Sequence, residues 1–288
     1  MVRRILKFST IGLVLVAAIV GLSLPHILRS LGLHPHYDVP AINLAGKRVL
    51  IITTSQATLG ENGKPTGVFA SEMTAPYYAF VDSGMEVDLA SIKGGQIPIE
   101  PASLKWPLAS APDKRYLDDP VFQAKVSHSY KIDQIDVSKY DVVFLAGGWG
   151  AAYDFGQSVA LGSKMAAFYA NGAVIGGVCH GPLGLLQARG ADGELIIKGR
   201  RIAAVTDKQI KELGITFTPM HPERDLRAAG VLFEANKAFR DLFANNVVVD
   251  GRIVTGQNQN GGTETAVKMM QVLLATPRPA GQESNQPG

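Results

Sequence analysis

The chain has 288 residues, of which 46% are hydrophobic and 18% are charged, and its formal net charge is +3. This composition is typical of globular enzymes and excludes an intrinsically disordered protein. The small net charge, without a basic run interleaved with aromatic residues, argues against nucleic acid as a partner. A single cysteine cannot form an internal disulfide, so the fold does not depend on oxidation.

The first 28 residues form a candidate membrane segment. Basic residues at positions 3, 4 and 7 precede a charge-free run over residues 8–28, which is about the length of a membrane-spanning helix. The cationic flank is expected to stay in the cytoplasm, with the rest of the chain on the other side of the membrane. We favour an uncleaved anchor, but a cleaved signal peptide stays open because residues 21–23 are small or apolar.

The remainder of the chain divides into three parts. Residues 29–46 carry Pro35 and Pro40 without hydrophobic periodicity and are predicted to be a linker. Residues 47–276 are predicted to form one α/β domain, which is long enough for a substantial core. Residues 277–288 are polar and proline-rich, which predicts a disordered tail.

Apolar runs and helical patterns alternate within the predicted domain. Strands are predicted at 47–54, 85–90, 141–146, 201–205, 247–249 and 253–254, and helices at 69–83, 159–171, 221–229 and 263–275. The proline-rich stretch 94–139 is predicted to be an insertion or lid of loops and short helices. The alternation predicts a mostly parallel sheet with helices on both faces, which binds ligands at the carboxyl ends of its strands.

The only cysteine lies in a strand–turn–helix pattern at residues 173–186. Gly177, Cys179 and Gly181 form the pattern Gly-x-nucleophile-x-Gly, which is typical of a nucleophile elbow with Cys in place of Ser. The N-terminus of the following helix is expected to favour the thiolate. A buried, inert cysteine is the alternative, but the flanking glycines and the adjacent His180 favour a reactive thiol.

Backbone N–H groups at this sheet edge are expected to stabilise an oxyanion. The first belongs to His180, directly after the nucleophile, and the second to Gly148, in the glycine turn that ends a neighbouring strand. The His180 ring is either the base or part of the pocket lining. The predicted pocket wall consists of Gly147, Trp149, Tyr153 and Asn258. No metal-binding spacing of His and Cys occurs, so neither a metal nor another cofactor is expected.

Five segments together resemble the DJ-1/PfpI superfamily, nearest its Hsp31-like branch. In chain order they are residues 66–72 (TGVFASE), 90–95 (ASIKGG), 147–150 (GGWG), 178–182 (VCHGP) and 255–258 (TGQN). The resemblance covers about residues 47–274. It implies a flavodoxin-like three-layer sandwich within the class I glutamine amidotransferase-like fold.

The resemblance also implies a Cys-dependent enzyme that acts on small reactive carbonyls. Family members resemble glutathione-independent glyoxalases and proposed deglycases, and a related hydrolase is the neighbouring possibility. The family pattern assigns Glu72 to the pocket wall, hydrogen-bonded to the sulfur of Cys179. In a glyoxalase-like mechanism Cys179 adds to an aldehyde, and Glu72 and His180 move protons.

Three positions depart from the family pattern. Glyoxalase-type members often carry His where this chain has Trp149, and His again where it has Ala75. Ile210 lies near the position at which one type of member carries Glu as the acidic partner of the histidine. We therefore predict Asp207 as the acidic partner of His180.

Other functions stay open from the sequence. A redox sensor or chaperone-type stress protein would use oxidation of Cys179 beside Glu72, and a pseudoenzyme would leave the thiol unreactive. His221 and Glu223 resemble the His-x-Glu of glutamine amidotransferases, but they begin a helix soon after the cysteine, so a surface helix cap is favoured for His221.

The expected partners follow from these assignments. A small-molecule substrate would bind at Cys179, the membrane would hold residues 1–28, and the resemblance allows a homodimer. The domain is expected to be periplasmic or extracellular, or secreted if the first segment is cleaved.

Overall fold

A computed structural model of the protein describes residues 2–60, 63–215 and 217–276. The predicted tail at 277–288 lies outside the described residues. The described helices are α1 (Val2–Ser30), α2 (Ala70–Asp82), α3 (Ala111–Leu117), α4 (Pro120–Ser127), α5 (Ala151–Asp154), α6 (Val159–Ala170), α7 (Asp207–Glu212), α8 (Pro222–Ala228) and α9 (Gly262–Ala275). The described strands are β1 (Arg48–Thr53), β2 (Glu86–Ser91), β3 (Tyr130–Lys131), β4 (Val142–Leu145), β5 (Val174–Val178), β6 (Arg201–Ala203), β7 (Leu232–Glu234), β8 (Val247–Asp250) and β9 (Ile253–Gly256).

The main sheet has seven strands in the order β3-β2-β1-β4-β5-β9-β8. All neighbouring pairs are parallel except the β8–β9 hairpin. The mostly parallel sheet predicted from the alternating pattern is therefore confirmed. The carboxyl ends of β1, β4, β5 and β9 meet at one edge of the sheet, which is where ligands bind in this architecture.

Alternate residues of the central strands face opposite helical layers. In β1, Val49 and Ile51 pack into the core beneath α2 and α9, whereas Leu50 and Ile52 pack into the core on the α6 side. All four side chains are fully buried, and each such burial contributes about 1.5–3 kcal/mol. Two cores on one sheet produce the three-layer arrangement.

Two predicted elements differ in the structure. The helix expected after the elbow is a five-residue 3-10 helix, Gly181–Leu185, in which Gly184 disfavours a longer α-helix. The strand expected at 201–205 is shorter and pairs with β7 in a separate two-stranded sheet. Strand β7 has no counterpart in the sequence prediction, since its three residues are too few for a periodic pattern.

The predicted insertion at 94–139 contains α3, α4 and β3, and it packs on α2. Helix α3 begins with a capping box in which Ser110 and Asp113 bond each other's backbone N–H groups. The buried Asp113 carboxylate also accepts a hydrogen bond from Thr74 of α2, at 2.6 Å. These bonds hold the insertion against the domain as a folded layer.

The segment predicted as a linker is docked on the domain. It forms neither helix nor strand after Ser30, as expected, but Leu33 and Leu44 are buried. The His34 N–H donates to Asn260 Oδ1 at 2.9 Å, and its ring Nε2 lies 2.8 Å from the Leu108 carbonyl oxygen. Long-range contacts of this kind have no local sequence signal, so the docking of this segment could not be predicted from its composition.

Among the described residues, the N-terminal helix is long and apolar enough to cross a membrane. The qualifying part is Gly12–Ser30, with a mean hydropathy of 1.8 and no side chain buried against the domain. Pro25 lies inside this helix.

Candidate active site

Cys179 occupies a sharp turn at the carboxyl end of β5. Its φ is +60°, one of two positive values among the described non-glycine residues, and such a conformation is costly unless its surroundings hold it in place. The Cys179 N–H donates to the Gly256 carbonyl at 3.0 Å, and the Val205 N–H donates to the Cys179 carbonyl at 3.1 Å. Backbone bonds on both sides therefore fix the strained elbow.

Glu72 lies in the first turn of α2 and approaches the sulfur of Cys179. The side chain is 1% exposed. Burial raises the pKa of Glu72 to about 8, and the Cys179 thiol and the backbone N–H groups of Gly147 and Gly148 act in the opposite direction. The carboxyl is thus protonated at neutral pH, and a protonated carboxyl can donate a hydrogen bond to a thiolate.

The glycine turn after β4 closes the cluster from the other side. At Gly147 a Cβ atom would collide with Glu72 Oε2 and with the backbone of the elbow. Gly148 has a φ of +97°, and a Cβ there would collide with the Phe69 N–H at the start of α2. Both glycines are required for the close approach of this turn to the cysteine and the glutamate.

The backbone N–H groups of Gly148 and His180 are directed at the sulfur. Each lowers the pKa of Cys179, whereas burial and the neighbouring Glu72 raise it well above its usual range. Burial and Glu72 outweigh the two N–H groups, so the thiolate expected from the sequence is not favoured in the folded protein. The thiol and the Glu72 carboxyl are therefore neutral at neutral pH, and the two N–H groups would stabilise the sulfur when it loses its proton during a reaction.

His180 is fully buried beside the thiol. Its Nδ1 lies 3.3 Å from Cys179 Sγ, and its ring meets Trp149 edge to face at a centroid distance of 4.8 Å. Its Nε2 is buried without a hydrogen-bond partner among the described residues. Burial, with a smaller contribution from the charge of His221, lowers the pKa of His180 to about 3. The ring is therefore neutral at neutral pH.

Asp207 does not pair with His180 as the sequence interpretation expected. It begins α7, and its Oδ1 lies 3.2 Å from Nδ1 of His221. Ile210 lies near the position at which one type of family member carries an acidic partner for the histidine, and its side chain is buried. The His180–Asp207 prediction fails because α7 points its first carboxylate toward the N-terminus of α8.

Two predicted pocket residues make their described contacts with other parts of the fold. Asn258 is fully buried, and its amide nitrogen donates to Gln209 and to the carbonyls of Asp241 and Ala244. It therefore holds together the loops behind the elbow. Tyr153, on α5, packs against the core on the α6 side of the sheet, whereas Cys179 belongs to the opposite core.

Sequence interpretation missed a partly buried carboxylate at the same edge of the sheet. Asp154 accepts bonds from Thr54 Oγ1 at 2.9 Å and from the Ser55 N–H at 2.8 Å, and burial raises its pKa to about 6. It ties the loop after β1 to α5. Its only sequence signal was the position of Thr54 at the end of the first strand. Within the described residues, no group of three or more His, Cys, Asp or Glu side chains is arranged to hold a metal ion.

Comparison with known proteins gives consistent results. Residues 64–272 match the family model described as the DJ-1/PfpI family. Glyoxalase 3 of Candida albicans is 29% identical over 233 residues, covering 76% of this chain and 95% of that protein. The solved structure of glyoxalase III from Candida albicans has a TM-score of 0.72 at 28% identity and covers 78% of this chain and 97% of its own. That of the Rapid Encystment Protein 24 kDa from Francisella tularensis has a TM-score of 0.73 at 30% identity, covering 79% and 99%.

Proposed function

Because this chain belongs to the DJ-1/PfpI family, we propose that it is a cysteine-dependent glyoxalase that works without glutathione on small 2-oxoaldehydes. The observation that carries the proposal is the buried cluster of Glu72, Cys179 and His180, in which a protonated carboxyl and a neutral imidazole face one sulfur. The glyoxalases of similar sequence and structure support the same reaction class.

The reaction needs no external oxidant or reductant. With methylglyoxal, the sulfur of Cys179 loses its proton and forms a bond to the aldehyde carbon, and the aldehyde oxygen takes a proton to give a hemithioacetal. A base then removes the proton from that carbon, the freed electron pair forms a C=C bond, and the ketone oxygen takes a proton to give an enediol. A proton is delivered to the former ketone carbon while the hydroxyl on the sulfur-bearing carbon loses its proton and becomes a carbonyl. The resulting thioester is hydrolysed by water, which releases lactate and restores the thiol.

The buried cluster fits the first of these steps. Glu72, protonated because its pKa is about 8, can donate to the developing oxygen and later accept a proton, as general acid–base catalysis requires. The N–H groups of Gly148 and His180 stabilise negative charge on sulfur. After addition they can stabilise the charge on the former aldehyde oxygen. His180 holds its Nδ1 toward the sulfur as a neutral acceptor or donor.

The redox-sensor alternative is less well supported. Oxidation of cysteine requires an accessible thiolate. Cys179 is 6% exposed, and burial raises its pKa. Both features slow reaction with peroxide, and the relatives of similar sequence and structure are named as glyoxalases.

The proposal is tested with the full-length protein in detergent. Methylglyoxal without glutathione is supplied, and lactate is measured by NMR. We expect lactate from the wild-type protein and only the uncatalysed background from Cys179→Ser. A matched control is His36→Gln, because His36 is exposed on the N-terminal segment. Equal lactate formation by wild type and Cys179→Ser would contradict the proposal.

We further propose that α1 is an uncleaved single-pass anchor and that the domain lies on the periplasmic or extracellular side. The length and hydropathy of Gly12–Ser30, and the basic residues before it, support this orientation. An alkaline phosphatase fusion after Ala275 should be active in a bacterial host, and should lose activity when residues 2–28 are deleted. An inactive full-length fusion would contradict the proposal. The homodimer stays a prediction, which light scattering of the purified protein tests.

A further inference from the structure

The isomerisation in the proposed reaction moves a proton between two carbons, and the buried cluster is poorly placed to exchange that proton with solvent. Glu72 is 1% exposed, Cys179 6% and His180 0%. The Nε2 of His180 has no hydrogen-bond partner in the described part of the chain, so no chain of hydrogen bonds leads from it to the surface. A proton that leaves the substrate would stay in the cluster unless another group carried it outward.

His221 and Asp207 form a partly exposed pair beside this cluster. Nδ1 of His221 lies 3.2 Å from Oδ1 of Asp207, and the two side chains are 30% and 49% exposed. A carboxylate only accepts hydrogen bonds, so the pairing leaves the proton of a neutral ring on Nδ1 and makes Nε2 the free acceptor. An imidazole oriented in this way by a carboxylate is suited to proton transfer.

Contacts along the chain place the pair near Cys179. Helix α7 begins at Asp207, two residues after Val205, whose N–H donates to the Cys179 carbonyl at 3.1 Å. Helix α8, which follows His221, packs against the 3-10 helix that starts directly after His180. The charge of His221 reaches the buried ring, where it contributes to lowering the pKa of His180.

The pair borders a cavity of about 450 Å³, a size that suits small-molecule ligands. The cavity lining comprises Asp207, Ile210, Lys211, Gly214, Ile215, His221 and Arg224. Ile210 also belongs to the apolar cluster that contains Cys179, and Ile215 packs against that cluster. The cavity therefore borders the same core layer that contains the thiol.

The charged groups around His221 come from both helices and from the buried cluster. Asp225 of α8 accepts the His221 N–H at 2.8 Å, and Glu223 accepts the Asp207 N–H at 3.0 Å. The remaining charged or titratable neighbours are Lys211 of α7, Arg224 of α8 and the neutral His180. Of these groups, only His221 combines a titratable ring, an orienting carboxylate and a partly exposed position.

We propose that His221, oriented by Asp207, is the proton carrier that links the reaction at Cys179 to solvent. In the isomerisation step it takes up the proton that leaves the aldehyde-derived carbon and provides a solvent-exchanged proton for the neighbouring carbon. The inference rests on the glyoxalase function proposed above. It gives a role to His221, which the family pattern did not explain.

The test follows the isotope in the product. The full-length protein in detergent converts methylglyoxal in D₂O, and NMR measures deuterium at C2 of lactate. We expect predominant deuterium from the wild type. His221→Gln should shift the product toward retained protium and lower kcat about 100-fold, with little change in KM. Asp207→Asn should produce a smaller shift in the same direction, and His36→Gln, which removes an exposed histidine of another His–Asp pair, should change neither quantity.

Each result decides the question. The role of His221 is overturned if His221→Gln keeps the deuterium fraction and kcat of the wild type, or if the wild type itself retains protium. Either result leaves the glyoxalase function in place. Absence of lactate from the wild type would overturn the proposed function, and the inference with it. Circular dichroism distinguishes a misfolded variant, in which case the isotope result of Asp207→Asn decides.

Discussion

The site has an inner and an outer region that differ in their exposure to water. The inner cluster consists of Glu72, Cys179 and His180, all closely packed and buried. There the cost of burying charge dominates, raising the pKa of the two acids and lowering that of the imidazole. The outer pair of His221 and Asp207 is partly exposed and bonded side chain to side chain.

The difference in exposure suits the two regions to different steps of the reaction. A buried cluster stabilises the reacting groups in fixed positions and in their neutral forms, but it exchanges protons slowly with water. A partly exposed histidine exchanges protons readily, but it is less precisely held. The inner region is therefore suited to bond formation at sulfur, and the outer region to the supply and removal of protons.

The largest effect is expected from Glu72→Gln in the inner region. The amide keeps the size of the side chain but cannot transfer a proton, so kcat/KM should fall by about 10²–10⁴-fold. The measurement is lactate formation from methylglyoxal at pH 7. A loss smaller than that of His221→Gln would reverse the proposed order of the two regions.

The same substitution should change how stability depends on pH. The pKa of Glu72 is raised from 4.5 to about 8, so its contribution to the unfolding free energy is fully present below pH 4.5 and is lost as pH rises through about 8. The wild type should lose about 3–5 kcal/mol over this range relative to Glu72→Gln. Urea denaturation of both proteins at pH 5 and pH 8.5 measures the difference. Parallel pH dependence in the two proteins would show that the carboxyl is not buried as described.

Gly148→Ala should have an intermediate effect on stability. The φ of +97° and the collision with the Phe69 N–H should cost about 1–3 kcal/mol of unfolding free energy. Gly199→Ala is the matched control, because Gly199 has a φ of +71° with open space around it. This substitution introduces backbone strain without a collision and should cost about 1 kcal/mol. Thermal or urea denaturation compares them. Equal costs at the two positions would mean that the close approach of the glycine turn is unimportant.

The smallest change in stability is expected in the outer region. His221→Gln should alter the unfolding free energy by less than about 0.5 kcal/mol, as is usual for exposed positions, while it lowers kcat. Urea denaturation alongside the kinetic measurement separates the two effects. A stability loss of several kcal/mol would indicate that His221 acts as a structural cap of α8.

The sequence predicted the parts of the molecule that depend on local chemistry. The elbow at Cys179 follows from closely spaced glycines around a nucleophile, and the strands of the main sheet follow from continuous apolar runs such as 49–52. The family motifs placed Glu72 beside the cysteine, and the structure brings the two together. Each of these features is encoded within a few neighbouring residues or in a recognisable motif.

Contacts between distant segments were decided only by the tertiary structure. Asp207 and His221 are 14 positions apart in the chain, and their pairing depends on how α7 and α8 pack. His34 bonds to Asn260, which is 226 positions away, so a segment with the composition of a linker became part of the domain.

The elbow at Cys179 shows where the two kinds of information separate. The sequence by itself determined which residue is strained and which glycines admit it, because backbone conformation is a local property. The tertiary structure decided the ionisation of the thiol, because the pKa depends on burial and on neighbours contributed by α2 and by the turn after β4. The free energy of a buried charge is set by everything around it, and only the folded chain assembles those surroundings.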